Sequence, residues 1–442
     1  MAAKHVVRLL SGLAVLVLLA AGPAQAFPKI ENWVTAQGTE VYFVPRHELP
    51  VIDLRLDFDA GESRSPAGKA GMATMVVSAI LDKELEAYEL ERPYQQIANS
   101  GNHIGMSAGR DRASISLRMI SRSGNYNAIV GVLARQLSEA RFPARSTDYR
   151  RDWQKEQAPR EAAKARADVR IDQLVYGKHP YANLDLRDED SLDAVGEMGM
   201  RSFHREYYRP GNLTLTVVGD VDRAQVEKMV EELTRYLPRG EPAAPLPKFT
   251  PPELPLEQRT VHISRAGSQT KFIVAYPLTI SNSSPDYPAL LLGNYILGGS
   301  GQRARLMKTI RQQAGLTYGI SSSMVLARDG GSLQITARTR NDQKQEMAKQ
   351  LAAELLRYEN GPSEDELKEG KSFFLLEMEQ WGATNQELLD LVSSLGYKKL
   401  PLDYYDRLRE SIAKLDVKTI SEAWKRHIRS EDMIIITEGP EQ

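Results

Sequence analysis

Read at an offset of 218 to 219 residues, the chain repeats itself. Gly109-Arg110-Asp111-Arg112-Ala113-Ser114-Ile115-Ser116-Leu117 lies over Ala327-Arg328-Asp329-Gly330-Gly331-Ser332-Leu333-Gln334-Ile335, each a turn followed by an alternating strand. An amphipathic helix then follows in both places, with Leu133 matching Leu351 and Leu137 matching Leu355. Later still, a buried-looking strand recurs at Leu213 to Val218 and Asp432 to Thr437, preceded by helical stretches at Ser202 to Tyr208 and Ser421 to His427. Several matches in nearly one register point to a duplicated domain. Between the copies lie seven prolines, at 238, 242, 245, 247, 251, 252 and 255, each fixing φ and removing a backbone donor. The expected division is therefore an N-terminal domain over 27–237, a linker over 238–255 and a C-terminal domain over 256–442.

Inside each copy, strands and helices alternate without the strict βαβ rhythm of a doubly wound sheet. Val51 to Phe58 alternates as a strand with one buried face, and helices are expected at Gly71 to Lys83 and Pro93 to Ser100. The class that fits is α+β: two homologous α/β sandwich domains, each a mixed sheet covered by helices.

The first 26 residues stand outside this pattern. Lys4 and Arg8, the apolar run Leu9 to Ala21 and the small-x-small site Ala24-Gln25-Ala26 form a secretory signal, so the mature chain is expected to begin at Phe27. The apolar run is too short to span a bilayer comfortably. A soluble periplasmic product is expected, with no membrane attachment after signal removal. The 57 Lys and Arg against 58 Asp and Glu leave no basic excess for nucleic acid. The absence of cysteine removes disulfides, thiolate metal sites and cysteine nucleophiles. The mature histidines are His47, His103, His179, His204, His262 and His427, and no helix carries two of them. A metal site in this chain would have to be assembled from histidines distant in sequence.

Five segments resemble the M16 family of insulinase, pitrilysin and mitochondrial processing peptidase. They are Gly68-Lys69-Ala70-Gly71-Met72-Ala73, Tyr176-Gly177-Lys178-His179-Pro180-Tyr181, Tyr207-Tyr208-Arg209-Pro210-Gly211-Asn212-Leu213, Ile296-Leu297-Gly298-Gly299-Ser300 and Arg311 to Ser321. The resemblance implies the LuxS/MPP-like metallohydrolase fold. It also implies where zinc would sit: His-x-x-Glu-His on the helix after the Gly-x-Ala step, two imidazoles on one helix face with the Glu as general base. Thr74, Val77 and Ser78 occupy those positions here. Valine takes no proton, and neutral hydroxyls are poor replacements for imidazoles at zinc. Glu156 lies near the place of the family's third ligand, but without partners it reads as a solvated helix charge. His179, ahead of Pro180, reads as a loop anchor.

A second element resembles the family more closely. Arg311 and Tyr318 stand seven positions apart in Arg311-Gln312-Gln313-Ala314-Gly315-Leu316-Thr317-Tyr318-Gly319. Leu306, Met307 and Ile310 give the preceding helix an apolar face, Gly315 closes it in a left-handed cap, and Tyr318 is expected to start the next strand. Without the family, Arg311 would be a helix-dipole complement and Tyr318 a core residue. With it, the tyrosine hydroxyl would donate to an oxyanion and the arginine would hold a substrate carbonyl.

Other segments carry less. Gly298-Gly299-Ser300-Gly301 has no following Lys-Ser/Thr and reads as a turn between helices, with Ser300 capping the helix of Arg311. Arg160 to Arg170 is expected to be a solvated helix. Asn102 to Met119 resembles the edge strand on which the family holds extended peptide by β-addition, and reads equally well as an ordinary edge strand. Together these readings imply a zinc-less subunit that supplies Arg311 and Tyr318 in trans to a partner bearing His-x-x-Glu-His and zinc, acting on peptides or unfolded polypeptide, with a homodimer in isolation as a further state. The competing expectation is a non-enzymatic peptide-binding or scaffold protein of the same fold.

Overall fold

The computed structural model describes residues 27–81, 102–183 and 189–441. The signal stretch 1–26, the expected helix Pro93 to Ser100 and the end of the expected helix Gly71 to Lys83 lie outside the described residues.

Two mixed sheets organise the chain. The first contains β1 (Glu31–Val34), β2 (Glu40–Pro45), β3 (Val51–Phe58), β4 (His103–Ala108), β5 (Ala113–Ile120) and β6 (Leu213–Gly219), in the order β1-β2-β6-β3-β5-β4. The second contains β7 (Thr260–Ser264), β8 (Gln269–Leu278), β9 (Ile320–Ala327), β10 (Gly330–Arg340) and β11 (Ile434–Gly439), in the order β7-β11-β8-β10-β9. Among the described residues, only β2 and β6 pair in parallel in the first sheet, and only β7 and β11 in the second. Strand for strand the two sheets have one topology, with β1 added to the first. The repeat in the sequence is thus a repeat in the fold. Residues 238–255 carry no helix or strand.

Four helices position the site and its covers: α1 (Met72–Ala79), α2 (Ala144–Tyr176), α3 (Tyr287–Asn294) and α4 (Asn385–Tyr397). One face of each sheet is covered by helices of its own half. Leu133 and Leu137 close the first core and Leu351 and Leu355 the second, as the shared offset predicts. The opposite face is covered from the other half. Ala167, Ile171, Leu174 and Val175 of α2 pack on Ile273, Ala275, Ile434 and Ile436 of the second sheet. Leu388, Leu389, Val392 and Leu395 of α4 pack on Tyr42, Val44 and Val218 of the first. Each such buried side chain contributes roughly 2 kcal/mol, so the halves are exchanged at their covers and not merely tethered.

This exchange corrects the expectation for β3. Both of its faces are buried, because Asp53 and Asp57 point toward the side that α4 covers. Arg118 pairs with Asp53 (2.6 and 3.0 Å), and Arg112 with Asp57 (3.0 Å). The repeated turns themselves meet at the seam: the Arg328 amide donates to Asp111 Oδ2 (3.0 Å), and the Tyr397 hydroxyl donates to the Asp111 carbonyl (2.9 Å). Arg110 lies over Tyr176 at 4.5 Å, and its counterpart Arg328 over Tyr397 at 4.4 Å.

One buried histidine gives the fold an acid-sensitive point. His204, in the helix Glu197–Tyr207, stacks on Tyr208 with ring centroids 4.8 Å apart, and its Nε2 has no partner among the described residues. Burial pushes its pKa from 6.5 down to about 4. The unfolded chain therefore binds the proton first. Stability from this group is full above pH 6.5 and falls as the pH drops toward 4, by on the order of 3 kcal/mol. Urea melts across that window should show the slope, and His204→Phe should flatten it; a variant with the wild-type slope would exclude His204 as its source.

Candidate functional site

The degenerate zinc helix is held from its N-terminus. Gly71 takes φ 90°, a left-handed conformation that favours glycine, and turns the chain into α1. There the carboxylate of Glu62, only 5% exposed, receives four hydrogen bonds. Oε1 accepts from Thr74 N (3.0 Å) and Thr74 Oγ1 (2.5 Å); Oε2 accepts from Gly71 N (3.1 Å) and Ser65 Oγ (2.8 Å). A carboxylate at a helix N-terminus satisfies orphan amides and complements the helix dipole. Sequence reasoning missed Glu62, because it caps from nine residues upstream of Gly71 and leaves no local signature.

The three degenerate positions are thereby committed to structure. Thr74 donates to Glu62, Ser78 Oγ donates to the Met75 carbonyl (3.1 Å), and Val77 is 1% exposed within the first core. These residues do not fit a zinc ion. Among the described residues no group of three His, Asp or Glu side chains is placed to hold a metal. Glu156 is exposed on α2, as expected of a solvated charge. His179 is the loop anchor its sequence suggested: Nδ1 accepts from the Tyr181 amide (3.2 Å), so Nε2 carries the proton it donates to the Pro247 carbonyl (2.8 Å). It thereby fastens the proline-rich segment to the first half.

The stretch Asn102 to Met119 is a hairpin, not one strand. The Gly109 amide bonds the Arg112 carbonyl (2.8 Å) to close the turn, which puts β4 at the edge of the sheet among the described residues and β5 between β3 and β4. Helix α1 lies against β4.

Arg311 and Tyr318 sit in the second half. Leu306, Met307 and Ile310 are buried as the apolar face requires, and Gly315 takes φ 65°. The helix Met307–Gln313 is wound as a π-helix, and Arg311 falls in its last turn, where Nη1 donates to Gln302 Oε1 (2.6 Å). Tyr318 does not start the strand. It lies in the connecting loop, two positions before β9 begins at Ile320. Thr317 pins this loop, its hydroxyl 2.6 Å from the Arg338 carbonyl and accepting from the Gly319 amide (3.1 Å). The tyrosine ring between them is 84% exposed. A fixed backbone thus presents a bare phenol, the reverse of a core tyrosine. Arg340, paired with Asp342 (Nε to Oδ1 3.0 Å), lies within electrostatic range of it.

Ser300 does not cap the helix of Arg311 either. It precedes a short 3₁₀ turn, Gly301–Arg303, and its side chain makes no capping bond. Gly298 and Gly299 are the end of a π-helical turn continuing α3, Tyr295–Gly299. The backbone of 160–170 is helical within α2, as expected, though the side chains of 160–166 and 168 lie outside the described residues.

Comparison with known proteins places this arrangement. Residues 199–374 match the family model described as Peptidase M16 inactive domain. The chain is 23% identical over 413 residues to a protein of Helicobacter pylori named non-peptidase homolog YmxG, covering 89% of this chain and 90% of that one. The crystal structure of a peptidase M16 inactive domain from Pseudomonas fluorescens is similar with a TM-score of 0.87 and 28% identity, over 93% of this chain and 98% of that one. The first half of the periplasmic protease PqqL from Escherichia coli shares the fold, with a TM-score of 0.77 at 16% identity over 94% of both chains. No helix among the described residues is long and apolar enough to cross a membrane. With valine where the base would stand and no imidazole at either ligand position, the chain resembles the M16 inactive domain over residues 199–374, lacks the zinc motif and is not an active peptidase by itself.

Proposed function

We propose that this chain is the zinc-less, Arg/Tyr-supplying subunit of a periplasmic M16-type metallopeptidase, paired with a separate subunit that carries His-x-x-Glu-His and the zinc. The observation that supports this reading is the split between the two elements: Thr74, Val77 and Ser78 are built into the fold, while Tyr318 stands bare on a pinned loop beside the helix of Arg311. A residue kept for packing would be covered. Full-length PqqL, of which this chain spans 48%, supports the reading: in that periplasmic protease a half with this fold is joined to further chain of similar length. In the assembly, Tyr318 would donate to the oxyanion of a peptide carbonyl and Arg311, oriented by Gln302, would hold a neighbouring carbonyl. The signal stretch 1–26 and the division at 238–255 belong to the same reading.

The test is cleavage of an unstructured peptide by this chain, by the co-purified partner and by their mixture. Only the mixture and, more weakly, the partner should cut. Tyr318→Phe and Arg311→Ala are each expected to slow the mixture on the order of 100-fold, about 3 kcal/mol of barrier. Unchanged rates in both variants would sink the in-trans role. The competing reading, a non-enzymatic binding or assembly protein, is favoured by the name of the Helicobacter pylori relative. It predicts a stable self-assembly that recruits no zinc-bearing subunit.

A further inference from the structure

Two buried threonine hydroxyls close on the loop that carries Tyr318. Along β10 the core-facing positions read Leu333, Ile335, Ala337 and then Thr339, a polar side chain only 1% exposed where the alternation calls for an apolar one. Its hydroxyl donates to the Leu316 carbonyl (2.6 Å). Thr317, also buried, holds the next step. Its hydroxyl stands 2.6 Å from the Arg338 carbonyl and 2.8 Å from the Gly319 carbonyl, and accepts from the Gly319 amide (3.1 Å). Upstream, the Gly315 amide donates to the Arg311 carbonyl and the Leu316 amide to the Ile310 carbonyl, both at 3.1 Å. The backbone is thus tied on both sides of Tyr318, to β10 and to the helix of Arg311, while the ring between these ties is exposed. Packing alone would be served by valine, which has the shape of threonine; what the two hydroxyls add is a fixed course for the chain.

We propose that Thr317 and Thr339 are positioning residues, which fix the phenol of Tyr318 relative to the Arg311 guanidinium for donation to an oxyanion. The proposal rests on the in-trans peptidase reading and supplies what that reading needs, a reason for so exposed a side chain to stand in one place. A phenol on an untied loop samples many positions, and a donor to an oxyanion contributes only while it is aligned with it. Both threonines are buried, so they act through the backbone on either side of Tyr318. A merely structural role makes a different prediction. The cost of valine would then fall on folding stability, and it would be the same whether or not residue 318 carries a hydroxyl.

Hydrogen exchange in the full mature chain reads the tie without any partner. The Gly319 amide is expected to exchange about tenfold faster in Thr317→Val than in wild type, and at the wild-type rate in Thr317→Ser. Cleavage of an unstructured peptide by the mixture with the zinc-bearing subunit reads the consequence. Thr317→Val and Thr339→Val should each lower kcat about tenfold with KM within about twofold, and the two serine variants should keep the wild-type kcat. Neither valine should slow a chain that already carries Tyr318→Phe by more than about twofold. Unchanged exchange at Gly319 in Thr317→Val overturns the positioning role whatever the mixture does. So does a tenfold loss that persists in the Tyr318→Phe background, or a wild-type kcat in both valine variants while Tyr318→Phe is slow. A mixture indifferent to Tyr318→Phe removes the in-trans reading, and this proposal with it. Where a valine variant fails to fold, the alanine variant replaces it, with the serine variant as its control.

Discussion

Asp57→Ala is expected to destabilise the chain by about 3 to 5 kcal/mol, a large fraction of what a typical domain possesses. Its carboxylate is fully buried and accepts from Arg112 Nη1 (3.0 Å), Ser114 Oγ (2.5 Å) and Ser393 Oγ (2.5 Å). Removing it strands a largely buried guanidinium and two hydroxyls at once. Ser393 belongs to α4, so the same substitution loosens the cover that the second half lays on the first. Removing both charges should cost less than removing one, since a buried charge without its partner is the expensive state. Asp57→Leu combined with Arg112→Met should therefore recover a substantial part of the loss. Urea denaturation of the single and double variants measures this. A loss below about 1 kcal/mol in Asp57→Ala would place the pair among ordinary surface ion pairs.

The second large effect is expected at Glu62. Glu62→Ala removes all acceptors for Gly71 N, Thr74 N and the hydroxyls of Thr74 and Ser65, for a loss of about 4 kcal/mol. Glu62→Gln keeps the volume but turns an amide NH₂ toward one pair of donors, so it should fall between wild type and alanine. Thermal melts give the totals. Hydrogen exchange at the Gly71 and Thr74 amides gives the location, because these should lose protection before the amides of β3 do. Protection unchanged at both amides in Glu62→Ala would show that another group caps the helix.

Much of the fold was legible because duplication writes the same register twice. A turn followed by alternation at 109–117 and again at 327–335 located β5 and β10, and the matched leucines located the helices that cover them. What escaped was whatever depends on contact across the seam. Asp53 and Asp57 carry the pattern of a solvent face, and nothing in β3 says that a helix more than three hundred residues later will cover it. Glu62 escaped for the same reason on a smaller scale. The Arg110-Asp111 and Arg328-Asp329 turns were visible as a repeat, but their meeting was not. Tyr318 shows the limit in the other direction: a tyrosine before an alternating stretch reads as strand, and only the bonds of Thr317 to Arg338 and Gly319 hold it outside. The absent zinc ligands were legible, being a matter of residue identity alone. The roles that Thr74, Val77 and Ser78 took up instead were not.

The exchange of covering helices also sets an order of assembly for a chain that emerges from its N-terminus. The first sheet is complete once β6 has been made, yet the face bearing Tyr42, Val44 and Val218 stays bare until residues 385–397 arrive. Helix α2, meanwhile, is finished well before the sheet it will cover exists. A nascent first half therefore carries two unsatisfied apolar surfaces at once, the condition under which partly made chains stick to one another. Shielding of that intermediate until synthesis ends is a demand that the architecture places on the cell.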